Sequence, residues 1–299
     1  MILKQPVFRG ASTAIVTPFT NDGIDFQQLK KLLDFQAENG IAAITAAGTT
    51  GENATLEIHE YERLVDLCVQ HTAGRMKIIA GVGGNNTEAC VRKARFASHH
   101  GADAVLLTPP YYNKTTQAGI VAHCTTVADA SAVPVILYNV PSRTALGFAA
   151  ETYRTLAGHE NINGVKEASG DFTLIARTAA ECGGRLHLWS GNDDHTVAMM
   201  ALGAQGVVSV ASNLMPAEIS GLCDECLRGD FASARSRAAR LSTLLRLLFV
   251  ETNPIPVKAA MEALGLCSGA LRLPLVPMTA ENRARLCAEL RRLGCDVGQ

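Results

Sequence analysis

Eight times along this chain a short apolar run is followed by a longer stretch with helical spacing, and no two runs are joined by a hairpin turn. The first run, 11–17, is closed by Pro18. Asp25 then stands as an N-cap before Leu29, Leu32, Leu33 and Gln36, with Gly40 past the end. The further pairs are 41–46 with 57–71, 77–81 with 87–100, 104–108 with 117–130 and 135–138 with 149–156. After these come 162–166 with 172–182, 186–190 with 196–202 and 207–210 with 216–227. Parallel strands need crossover connections of this length, and strands buried on both faces read as continuous apolar runs. Eight units in roughly 230 residues predict an α/β fold, a closed (β/α)8 TIM barrel. An open doubly wound sheet would want a phosphate fingerprint after an early strand. Gly81-Val82-Gly83-Gly84-Asn85-Asn86 ends in Asn where that pattern needs Gly, so it reads as a tight turn. Beyond Leu227 the pattern is purely helical, at 232–250, 256–264 and 280–293. The expected organisation is a barrel over 1–228 with a helical segment, 229–299, packed on it.

Composition narrows the function classes. The 299 residues are 47% hydrophobic, enough for one sizeable core, and a formal net charge of −1 gives no pull toward nucleic acid or an anionic membrane. The opening stretch Met1–Pro6 lacks the apolar segment of a secretory signal, and no apolar run approaches the ~20 residues that span a bilayer. Nine scattered cysteines, with Cys223 and Cys226 as a lone CxxC, fit reduced thiols in a cytoplasmic protein better than disulfides or a zinc site. Asp193-Asp194-His195 has no second ligand cluster at matching spacing, so loop solvation or helix capping is the expected role and no metal is.

In a barrel of this kind reactive groups gather where strands end at their C-terminal side. Those ends are polar here: Gly48-Thr49-Thr50-Gly51-Glu52, Thr108 to Asn113, Tyr138 to Thr144, Lys166 to Asp171 and Ser190 to Asp194. Lys166 closes an otherwise apolar strand, where burial would favour the neutral amine and free it to attack a carbonyl. A lone strand-end lysine more often reaches solvent or pairs with a neighbour, here Glu167. Tyr138 ends the preceding strand at equivalent height and can shuttle a proton there, though a core aromatic is the ordinary alternative. Thr49 and Thr50, between two glycines, offer hydroxyls and open N–H groups that suit a carboxylate, where a plain turn is the bland reading. Each bland reading holds singly; together, on one barrel face, they point to an enzyme.

The segments GTTGENATL (48–56), TPPYYNK (108–114), YNVPSRT (138–144), GVKEASGD (164–171), SGNDD (190–194), GVVSVASN (206–213), NPIPVK (253–258) and LRLPL (271–275) resemble the dihydrodipicolinate synthase family, within the pyruvate-dependent N-acetylneuraminate lyase superfamily. The resemblance covers nearly the whole chain. It implies a lyase that condenses pyruvate with L-aspartate 4-semialdehyde, the first committed step toward diaminopimelate and lysine. It implies that Lys166 forms the Schiff base, and that Tyr138, Thr49 and Tyr112 form a proton relay, with Tyr112 reaching into a neighbouring subunit. Thr50 would hold the pyruvate carboxylate beside Val208 and Gly191, and Arg143 would bind the carboxylate of the semialdehyde. A homotetramer built from dimers is implied, with no metal or organic cofactor.

Two departures, Ala145 after Ser-Arg-Thr and Thr115 after Asn-Lys, lie outside the reacting groups. In relatives inhibited by L-lysine an effector site is expected. Asn53, Asn85, Tyr111 and Gly83 fit it, whereas Ile58, Tyr61 and Ala89 replace the polar partners and Glu88 lies one helical step off. Weak inhibition is the expectation. A sibling aldolase for sialic or 2-keto-3-deoxy sugar acids would keep Lys166 and Tyr138 but replace Arg143 with hydroxyls. A non-catalytic scaffold on the same barrel fits less well, since no position of the constellation is broken.

Overall fold

The computed structural model describes residues 3–298; residues 1, 2 and 299 lie outside it, and with them the first two positions of the stretch Met1–Pro6. Eight parallel strands close into a barrel: Gly10–Ala14, Ala43–Ala46, Lys77–Gly81, Ala104–Leu107, Val135–Asn139, Ile162–Glu167, His187–Ser190 and Gly206–Ser209. Each strand pairs with the next in the chain, and the first also pairs with the eighth. This is the TIM barrel expected from the alternation. The first strand ends at Ala14 rather than Thr17, because after the Ile15 N–H meets the Thr45 carbonyl (3.2 Å) the chain leaves the ladder. There the Val16 N–H donates to Asn213 Oδ1 (3.2 Å) and Thr17 Oγ1 to the Gly51 carbonyl (2.7 Å). A small antiparallel hairpin, Phe19–Thr20 with Gly23–Ile24, stands apart from the barrel and was not legible as a strand pair.

Side chains alternate between two cores, as period-2 strands require. Inside the barrel lie Ile79, Leu106, Ile136, Tyr138, Trp189 and Val208; the Phe8 ring stacks on Trp189 at 5.0 Å and plugs the N-terminal end. Outside, Ile44, Ile78, Val105, Leu137, Val165 and Val207 meet helix residues such as Leu29, Leu33, Leu64 and Ile175. The helices Phe231–Leu247, Ile255–Ala263 and Ala280–Arg292 add Leu241, Leu244, Val257, Leu286 and Leu290 to that outer core.

The helical tail also grips the loop after the second strand. Glu52, held at φ 55°, receives Lys258 Nζ at 2.6 Å and the Arg272 N–H at 3.0 Å. Lys258 Nζ donates again to the Ala270 carbonyl (2.6 Å), and Arg272 forks onto the carboxylate of Glu60. Both members of the Glu52–Lys258 pair are fully buried, so their attraction offsets a large desolvation cost only while both are present. Removing one partner of such a pair costs about 3–5 kcal/mol. Lys258→Met should therefore lower the unfolding free energy by that order in a urea titration. A loss under ~1 kcal/mol would mean the clamp carries no stability.

Candidate active site

Lys166 stands opposite Tyr138 in one strand pair and opposite Trp189 in the other. Its ammonium lies 4.2 Å from the centroid of the Tyr138 ring, and the residue is only 6% exposed. Among the described residues no carboxylate lies within ion-pair distance of it. The pairing with Glu167 that the sequence left open does not occur. Consecutive strand residues face opposite ways, so the Glu167 carboxylate lies in the outer layer. It accepts there from Asn139 Nδ2 (3.0 Å), Tyr153 OH (2.7 Å) and the Ser169 N–H (2.8 Å). Burial pushes Lys166 down to about 7, with Arg143 adding to the push and Asp193 opposing it. Relative to an ordinary lysine this favours the neutral amine by roughly 5 kcal/mol.

Two neighbours make room for that amine and balance it. A Cβ on Gly191 would fall 2.7 Å from the Ala168 Cβ and 3.2 Å from the Lys166 Cγ, so only glycine lets the strand end pass. Asp193 is buried rather than solvated, and its carboxylate meets the N–H groups that open the single turn Ala211–Asn213 rather than a helix of its own loop. Its Oδ2 accepts the N–H groups of Val210 (3.0 Å) and Ala211 (3.1 Å) at the end of the eighth strand, and among the described residues its Oδ1 has no hydrogen-bond partner. Burial raises its carboxyl above the usual range, against the pull of these bonds.

The second and fifth strands supply the hydroxyls. Burial raises the Tyr138 phenol, while the charge of Arg143 and a hydrogen bond with Thr49 act to lower it. The turn holding Thr49 is set by the Glu52 N–H on the Thr49 carbonyl (3.1 Å) and the Asn53 N–H on that of Gly48 (3.3 Å). Gly81 lets this turn approach the third strand, since a Cβ there would sit 2.1 Å from the Ala47 oxygen. Thr50 Oγ1 accepts from Asn253 Nδ2 (3.0 Å), and the Asn253 carbonyl accepts from Arg143 Nη2 (3.0 Å). Arg143 rides on a single helical turn, Pro141–Thr144, started by proline where the fifth strand stops.

Lys166, Tyr138, Thr49, Thr50, Arg143 and Gly191 thus line one cavity of about 510 Å³. Val208 lies one step deeper, in the barrel interior, and Val210 forms the wall at that strand end. Tyr112 is 91% exposed in the left-handed region (φ 67°) and lines no cavity of its own chain described here. Asn53, Asn85 and Tyr111 come together on a second cavity, whose inner end shares Thr49, Tyr138 and Arg143 with the first. Strand-end reasoning missed the tail's share of the site. Phe249, Val250, Thr252 and Asn253 close one wall; the signal for Asn253 was NPIPVK, a motif placed in the tail without a role, and the other three carried none.

The sequence profile of the Dihydrodipicolinate synthetase family matches residues 7–293. The chain belongs to this family. It is 46% identical to the 4-hydroxy-tetrahydrodipicolinate synthase of Exiguobacterium sibiricum, over 98% of this chain and 100% of that one. The crystal structure of dihydrodipicolinate synthase from Aquifex aeolicus superposes with a TM-score of 0.95 at 41% identity, covering 98% and 100% of the two chains. A structure described as the first monomeric dihydrodipicolinate synthase variant superposes with a TM-score of 0.94 at 38% identity, covering 97% and 98%.

If the family's barrel mouth holds Lys166 as a neutral amine, trace acylation with acetic anhydride across a pH series should show it. Lys166 should acylate with a midpoint near 7. A midpoint above about 10, that of ordinary lysine, would place the ammonium in water and undo the burial argument.

Proposed function

We propose that this chain condenses pyruvate with L-aspartate 4-semialdehyde to give 4-hydroxy-tetrahydrodipicolinate, through a Schiff base on Lys166. The observation that carries the reading is the buried lysine with no carboxylate in ion-pair reach among the described residues, packed on a tyrosine and facing a cavity that also holds Arg143. The neutral amine of Lys166 attacks the keto carbon of pyruvate; water leaves, and the iminium draws electrons from the methyl group. A methyl proton leaves through Tyr138, whose own phenolic proton passes to the hydroxyl of Thr49 and on along the relay, and an enamine remains. The enamine carbon attacks the aldehyde, whose oxygen takes a proton through the same hydroxyls. The amine of the semialdehyde then adds to the imine carbon, closes the ring and expels Lys166. The Thr50 hydroxyl and the adjoining turn hold the pyruvate carboxylate, with Gly191 and Val208 shaping the floor. Arg143 forks onto the carboxylate of the second substrate. The reaction as written uses no metal or organic cofactor.

Tyr112 completes the relay in the neighbouring subunit of a homotetramer. Its exposure and its position outside both cavities at the barrel mouth support that arrangement. A cytoplasmic setting agrees with nine free cysteines, and among the described residues no helix is long and apolar enough to cross a membrane.

The test is a steady-state assay of the purified protein with pyruvate and the semialdehyde. Turnover should exceed cleavage of N-acetylneuraminate by orders of magnitude, and the reverse ranking would favour a sibling lyase. Tyr138→Phe and Tyr112→Phe should each lower kcat by about 10²-fold or more, since acid–base groups contribute 10²–10⁴. Near-normal turnover would remove either from the relay. Arg143→Ala should raise KM for the semialdehyde far more than KM for pyruvate. Equal effects on both would show that Arg143 does not select the second substrate.

A further inference from the structure

What Thr50 can offer a substrate depends on where its one hydroxyl proton points. Its Oγ1 accepts from Asn253 Nδ2 at 3.0 Å, and among the described residues nothing accepts the proton of that hydroxyl. Neighbouring threonines give theirs to the backbone. Thr17 Oγ1 donates to the Gly51 carbonyl (2.7 Å) and Thr55 Oγ1 to the Glu52 carbonyl (3.0 Å). A hydroxyl that rotates freely donates or accepts as its surroundings dictate. Thr50 has that choice removed. With a donor fixed on one lone pair, its proton is turned away from Asn253 and is left for the cavity that Lys166 and Arg143 also line.

Asn253 is itself held firmly enough to do this. Its backbone carbonyl accepts from Arg143 Nη2 (3.0 Å). Two residues further on begins the helix Ile255–Ala263, whose Lys258 is locked to Glu52, two residues past Thr50. The side chain is only 5% exposed, and among the described residues its Oδ1 has no hydrogen-bond partner. A buried amide oxygen left unpaired works against folding, and an apolar side chain would avoid that penalty. Stability therefore does not account for an amide at this position. The donor end that meets Thr50 does.

We propose that Asn253 is a positioning residue for pyruvate: its side-chain N–H fixes the Thr50 hydroxyl as a donor to the pyruvate carboxylate. The inference rests on the Schiff-base reading of Lys166 and adds to it a residue of the helical tail that acts through Thr50. A carboxylate at 253 would do the reverse. It would accept the Thr50 proton and leave the lone pairs of that hydroxyl facing an anionic substrate.

The test reads pyruvate alone. Half-saturation is taken as the pyruvate concentration that gives half-maximal borohydride trapping on Lys166, in wild type, Asn253→Ala, Thr50→Val and the double variant. Asn253→Ala should raise it about three- to tenfold in the wild-type chain. In Thr50→Val, where no hydroxyl remains to be oriented, the same change should leave it within about twofold. A merely structural role for Asn253 would not produce that difference between the two backgrounds. Asn253→Asp, which matches asparagine in size and so decides the question if the alanine variant fails to fold, should raise half-saturation at least about tenfold. Equal factors for Asn253→Ala in both backgrounds, or half-saturation within about twofold of wild type in Asn253→Asp, would overturn the inference and leave the Schiff base standing. No trapping in wild type would overturn both.

Discussion

The amine of Lys166 is held in the barrel mouth against the aromatic face of Tyr138, and the strand's own geometry keeps the nearest carboxylate away from it. Had Glu167 faced inward, the pair would have held Lys166 charged and unreactive. The period-2 alternation instead turns Glu167 into the outer layer, where Asn139, Tyr153 and the Ser169 N–H saturate it. The glycine at 191, the buried Asp193 and the position of Arg143 are best understood through this one constraint. Each either makes room for the amine or sets the potential around it.

The loop from Gly48 to Leu56 joins this centre to the rest of the molecule. One end presents Thr49 to Tyr138, and the middle is locked to the tail by Glu52, Lys258 and Arg272. The outer side carries Asn53 into the second cavity and onto Lys93. A left-handed backbone at Glu52 costs on the order of 1 kcal/mol, and the surrounding charges over-determine it. The Thr49 hydroxyl, the tail helices and the outer cavity therefore share one short stretch of chain.

Most of the barrel was legible because strand and helix periods differ and the runs alternate without hairpins. The strand 77–81 and the helices 117–130, 172–182 and 216–227 fall where the pattern places them. The first strand was read three residues too long, because Ile15–Thr17 is as apolar as a strand while the hydrogen bonds of Val16 and Thr17 run to loops. Lys166 and Tyr138 were legible from their strand ends, and the register brings them together as expected. Asn253, Lys258 and Lys93 were not. Their partners lie roughly 200, 206 and 40 residues away, and no local spacing encodes such contacts. Asp193 was misread for the same reason: its acceptors' partners are backbone N–H groups on another strand end.

The central claim is that Lys166, and no other lysine, is the nucleophile of this barrel. Reduction with borohydride in the presence of pyruvate, followed by peptide mass mapping, tests it most directly. A single reduced pyruvyl adduct is expected on the peptide that carries Lys166, with activity lost in proportion. An adduct on Lys93 or Lys258 instead, or full activity with no adduct at all, would contradict it.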